Sequence, residues 1–248
     1  MTENIDRFWL RAIKVASEAA QRRFLKSFAA YVYAVIDEAS DRNCGRVRGI
    51  TDYFELRRLT AGAYASFFSV ELGLDIPDEV MTHPAMESLL GLAADSVVLT
   101  NVRIYRSWLC ADQSDFWDVN QDLYSYNNEQ AAGHGGHNLL TVVMNEKGVD
   151  LDGALDWLAE YNGVVLSRFQ AQYRMLPSWG PDMDTIVTAF VERLAHWIRG
   201  HDCWSFESER YFGTKGPEIQ KHRLVTLLPR SRRPDVTPMM ARPSALTY

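Results

Sequence analysis

Forty consecutive residues, 3 to 42, contain neither proline nor glycine, and the same sparing use of both residues continues down most of the chain. Only five of the nine prolines precede Pro229, and the segments between them are rich in Ala, Leu, Glu, Arg and Gln. Those residues lose little side-chain freedom in a helix, and nothing in these stretches forces the backbone out of one. The chain is therefore expected to be all-α. Apolar residues Phe8, Ala12, Val15, Ala19, Phe24, Phe28, Tyr31 and Val35 recur at intervals of three to five and predict one or two helices over 3–42. A further stripe runs through Tyr53, Leu56, Leu59, Tyr64 and Phe68 between Ile50 and Leu72. Pro84 marks a start, Asp150 or Asp152 can cap a helix that ends before PSWGP (177–181), and Pro181 suits the first turn of another.

With 248 residues, 47% of them apolar, the chain can bury a sizeable core. It has no long uncharged apolar run, three widely spaced cysteines (Cys44, Cys110 and Cys203) and no apolar leader, which together predict a soluble protein of the reduced cytoplasm with no membrane span. The net charge of −6 excludes a general nucleic-acid partner. It is unevenly spread: residues 1 to 209 hold 18 basic and 30 acidic side chains, whereas the remainder is basic. An acidic body implies cations nearby. Residues 1–228 are expected to form one helical domain, followed by a Pro- and Arg-rich disordered tail over 229–248.

No glycine-rich phosphate loop, CxxC pair or HExxH motif is present. Chemistry concentrates elsewhere. In QDLYSYNNEQ (121–130), Ser125 and Glu129 lie four apart, on one helix face, where a hydroxyl and a carboxylate suit a hard cation such as Mg²⁺. In WSFESERYFG (204–213), adjacent Arg210 and Tyr211 offer a planar guanidinium and a phenol to phosphate oxygens. In ELRRLTAG (55–62), an arginine pair precedes a glycine inside an otherwise helical pattern. Taken singly, each is more often structural than functional.

In this order, and with GHNLLTVVM (136–144), these segments resemble the class I terpene synthases of fungi, specifically the basidiomycete sesquiterpene synthases, over residues 20–229. The resemblance implies a helical terpenoid synthase bundle in which Mg²⁺ ionises a prenyl diphosphate, farnesyl diphosphate by preference, and the carbocation cyclises in an aromatic pocket to a sesquiterpene. Arg58 matches the diphosphate sensor, with Arg57 the less favoured choice, and Arg210 and Tyr211 match the terminal diphosphate-binding pair. Ser125 and Glu129 match the second and third metal ligands. Tyr64, Phe67, Phe68, Trp204 and Phe206 are pocket candidates that could equally be plain core.

The first metal ligand departs from the family pattern. Asparagine is expected four residues before Ser125, where Gln121 stands. Omitting residues 102–121 leaves LTN-DLYSYNNE and restores the motif with Asn101. The omitted twenty residues begin with Val, whose codons start GT, and end with Gln, one of whose codons is CAG. These are intron edges, so 102–121 is read as a translated intron, with a genuine insertion as the alternative.

The family's early aspartate-rich helix has no good counterpart. Asp37, Glu38 and Asp41 in VIDEASDRN line up with a later family helix, so the first metal motif and the helices before it are expected to be missing, and Asp37 and Asp41 are read as a solvated face. Asn128, Ala132 and His134 stand where the family has Lys, Arg and Asp, which removes two cations. His134 and His137 lack further ligands at zinc spacing. The alternative to a working cyclase is accordingly a catalytically impaired homologue, a pseudoenzyme or helical module that still binds diphosphate.

Overall fold

The long proline-free segment forms two helices, α1 (Thr2–Ala12) and α2 (Glu18–Cys44), in a computed structural model that describes residues 2–99, 121–131, 138–222, 225, 228 and 229. Ser17 separates them: its hydroxyl accepts a hydrogen bond from the Ala20 N–H and caps α2. Helix α2 stops at Gly45, whose left-handed φ of 67° lets its N–H turn back to the Asp41 and Arg42 carbonyls. The stripe from Ile50 to Leu72 is broken into α3 (Ile50–Thr60), α4 (Ala63–Ser66) and α5 (Phe68–Glu71). The break falls at Gly62, with φ 69°, a conformation that costs other residues about 1–2 kcal/mol.

Helices α6 (Asp78–Met81) and α7 (Pro84–Leu99) follow, then α8 (Gln121–Ala131), α9 (Leu139–Lys147), α10 (Leu151–Arg174), α11 (Pro181–Glu207), a 3₁₀ turn (Gly213–Lys215) and α12 (Gly216–His222). Asp150 caps α10 through the Gly153 N–H, and Pro181 opens α11 at its first turn. No strand occurs among the described residues, and no described helix is long and apolar enough to cross a membrane.

Helix α7 is the axis of packing. Met86, Leu89, Ala93, Ala94 and Val97 face one core cluster with Phe190, Val191, Leu194 and Ile198 of α11. Val98 and Leu99 face a second cluster with Leu139, Leu140, Val142 and Val143 of α9 and Leu155 and Leu158 of α10. A helix buried on two sides reads as almost wholly apolar, which makes its one buried carboxylate, Asp95, conspicuous.

One surface expectation is overturned. Asp41 is buried rather than solvated, because Arg48 donates to it at 2.5 Å and Arg46 lies 3.8 Å away. It ties the end of α2 to the turn leading into α3. The tail 230–248 and the segment 102–120 fall outside the described residues, as do Asn101, Ala132, His134 and His137.

Candidate active site

Helix α11 carries Trp197, His201 and Trp204 at positions i, i+4 and i+7, which stacks three aromatic rings on one face. The Trp197 and His201 rings lie 5.6 Å apart and nearly parallel, and His201 and Trp204 lie 5.7 Å apart. The helix ends at Glu207. Glu209 then adopts φ 58°, the one positive φ among the described non-glycine residues, and turns the chain so that Arg210 and Tyr211 come back beside the aromatic face. The Tyr211 ring packs edge-on to Trp204 at 6.3 Å, and the Arg210 guanidinium lies 5.4 Å from the Tyr211 ring centre.

These groups line an open cavity of about 480 Å³, together with Ala61, Ser66 and Val97. Arg210 and Tyr211 therefore share one wall-to-wall space with Trp204, with cationic and phenolic groups beside aromatic faces. His201 sits in the same wall with its Nδ1 buried and without a hydrogen-bond partner among the described residues. Burial first, and the positive charge of Arg210 second, push its pKa down to about 4, so the ring is neutral at physiological pH.

Arg58 is on α3, one turn before Ala61, and Asp95 is on α7; neither residue lines the cavity. The Arg58 Nε donates to Asp95 Oδ1 at 2.5 Å and Nη2 to Oδ2 at 2.8 Å. The hydrogen bond that Arg58 donates to Asp95 leads the causes that hold its guanidinium above its ordinary range. Burial pushes the Asp95 carboxyl upward, opposed by Arg58. Arg57 instead donates to the Thr60 hydroxyl at 3.3 Å.

Ser125 and Glu129 lie on α8, one turn apart. Glu129 Oε2 accepts from the Asn138 amide at 3.0 Å, and Asn138, fully buried, also caps α9 through the Leu140 N–H. A hydroxyl and a carboxylate oxygen one turn apart fit a hard, oxygen-seeking cation. Neither residue lines the cavity, and no cluster of three His, Cys, Asp or Glu suited to a metal occurs among the described residues. Gln121 is the first residue of α8, while Asn101 lies outside the described residues.

The aromatic candidates separate. Trp204, 44% exposed, lines the cavity. Phe67 is buried edge-on to Trp197 at 5.3 Å, and Tyr64 packs against Phe67. Phe68 is buried on the other side, 4.7 Å from Phe24 of α2, and Phe206 stacks on Phe212 at 5.2 Å beneath the terminal turn. Sequence reasoning missed His201 and Asp95. Trp197 was legible only as part of an apolar helix face. A signal for Asp95 existed, a lone carboxylate inside the apolar run LAADSVVL; none singles out His201.

Residues 1–162 match the family described as terpene synthase family 2, C-terminal metal binding. Over 239 residues the chain is 39% identical to a delta(6)-protoilludene synthase of Armillaria ostoyae, covering 96% of this chain and 64% of that protein. Over 226 residues it is 42% identical to delta(6)-protoilludene synthase 18 of Postia placenta, covering 91% of this chain and 59% of that protein. The chain thus spans less than two thirds of the length of these relatives. Among solved structures, that of a-eudesmol synthase superposes with a TM-score of 0.62 at 26% identity, covering 77% of this chain and 57% of the other. A linalool/nerolidol synthase of Streptomyces clavuligerus superposes with a TM-score of 0.64 at 18% identity, over 79% of this chain and 63% of the other, a likeness of fold alone. The helical architecture, the matched family and the relatives agree, and the chain belongs to the terpene synthase family.

Proposed function

We propose that this chain ionises a prenyl diphosphate, farnesyl diphosphate by preference, with Mg²⁺ and cyclises the resulting carbocation to a sesquiterpene. The observation that carries the reading is that Arg210, Tyr211 and Trp204 line one cavity together with Ala61, which lies one turn from Arg58 on α3. Phosphate donors and cation-stabilising aromatic faces are the two chemistries the reaction needs side by side.

Arg210 and Arg58 bind diphosphate oxygens through charge-assisted hydrogen bonds, and the Tyr211 hydroxyl adds a neutral donor. Ser125 and Glu129, with Asn101 or Gln121, would hold Mg²⁺. When bound, that ion supplies Lewis-acid stabilisation of the charge gathering on the leaving diphosphate. Trp204 and Trp197 present ring faces to the allylic cation, an attraction worth about 2 kcal/mol or more where water is excluded. His201 stays neutral in that wall and so adds no repelling charge.

The test is incubation of the purified chain, as written and with residues 102–121 deleted, with farnesyl diphosphate and Mg²⁺ while volatile products are collected. A sesquiterpene from either version supports the reading. Diphosphate binding without product from either would instead mark a catalytically impaired homologue.

A further inference from the structure

We infer that Asp95 is a positioning residue for diphosphate binding, one that clamps the side edge of the Arg58 guanidinium and thereby presents its end edge to the ligand; the inference rests on the diphosphate reading above. Five N–H bonds radiate from a guanidinium in one plane. In Arg58, Nε and one N–H of Nη2 are taken by the two oxygens of Asp95. Both N–H bonds of Nη1 and the second of Nη2 remain, and one from each of these two nitrogens makes up the end edge, which Asp95 leaves clear. A phosphate needs just such a pair of parallel donors.

Burial makes the clamp one-sided. The Asp95 side chain is 4% exposed and that of Arg58 33%, so the carboxylate end of the pair is in the core and the guanidinium end is partly open to solvent. Were Arg58 to leave Asp95 for the ligand, it would strand a carboxylate in the core next to Tyr64 and Tyr161, whose hydroxyls carry no compensating charge. Arg58 therefore meets the diphosphate without releasing Asp95.

The test reads arginine Nε–H resonances in the full chain, with the Arg58 signal assigned by its loss in Arg58→Lys. The expected result is a downfield, exchange-protected Arg58 Nε–H that persists when inorganic pyrophosphate and Mg²⁺ are added. Asp95→Asn is expected to abolish that protection and to weaken pyrophosphate binding roughly tenfold, as loss of an orienting partner does at metal sites. Loss of protection in the wild-type chain on adding pyrophosphate overturns the inference, as does unchanged binding by Asp95→Asn. Turnover of farnesyl diphosphate with either of those results leaves the functional reading standing. A wild-type chain that binds no pyrophosphate overturns both. If Asp95→Asn does not fold, the wild-type spectrum decides alone.

Discussion

Protonation of His201 provides a stability test that owes nothing to turnover. Its pKa falls from an ordinary 6.5 to about 4 in the folded chain, through burial first and Arg210 second. Between these values the unfolded chain holds a proton that the native chain refuses, so stability must drop as pH falls through 6.5 and the loss is complete below 4. Integrating the linkage to pH 4.5 gives a cost of about 2.5 kcal/mol relative to pH 7.5. That is a large share of the 5–15 kcal/mol typical of a domain. The assay is urea unfolding at both pH values for the wild-type chain and His201→Gln, whose side chain does not titrate. Carboxylates and the other histidines contribute equally to both and cancel. The variant should gain about 2.5 kcal/mol on the wild type between pH 7.5 and 4.5. Curves that stay parallel within about 0.5 kcal/mol would show that His201 is protonated as readily in the native wall as in water, and the neutral, dry wall would have to be abandoned.

Two substitutions test the packing that shapes the cavity, and one the ion pair beside it. A methyl group at Gly216 would overlap the carbonyl of Phe206, so Gly216→Ala should destabilise by about 1–3 kcal/mol or more, read from urea midpoints. Leu89→Ala, fully buried on α7, should cost about 2–5 kcal/mol with an unchanged m value. Arg58→Ala leaves Asp95 buried without its counter-charge and should cost about 3–5 kcal/mol in thermal or urea unfolding, a loss that adding Asp95→Asn largely restores.

What could be read from the chain beforehand was local. Pro84, Asp150 and Pro181 announce helix starts through their own backbone chemistry, and all three stand where expected. The glycine at 62 was visible as a residue needing a reason, but the stripe through it looks continuous, because left-handed φ leaves no trace in an apolar pattern. Asp41 and Asp95 show the other limit. A carboxylate is read as solvated until a specific arginine is brought to it; Arg48 reaches Asp41 through the turn after α2, and Arg58 reaches Asp95 only through the packing of α3 onto α7. The terminal pair Arg210 and Tyr211 was legible as a motif, yet its approach to Trp204 depends on the strained turn at Glu209. The three-ring wall is a consequence of helical spacing, and its imidazole becomes chemically distinctive only when folding buries it, with Arg210 beside it adding the smaller push.

The central claim is that the cavity bounded by Arg210, Tyr211 and Trp204 receives a prenyl diphosphate and ionises it. The most direct measurement is release of inorganic pyrophosphate from farnesyl diphosphate by the full chain, with and without Mg²⁺, and by Arg210→Ala. Release that depends on Mg²⁺ and falls by about 10²–10³ in Arg210→Ala is the predicted result, in line with the loss of one preorganised charge-stabilising donor. Release that is absent with Mg²⁺, or unaltered in Arg210→Ala, would contradict it.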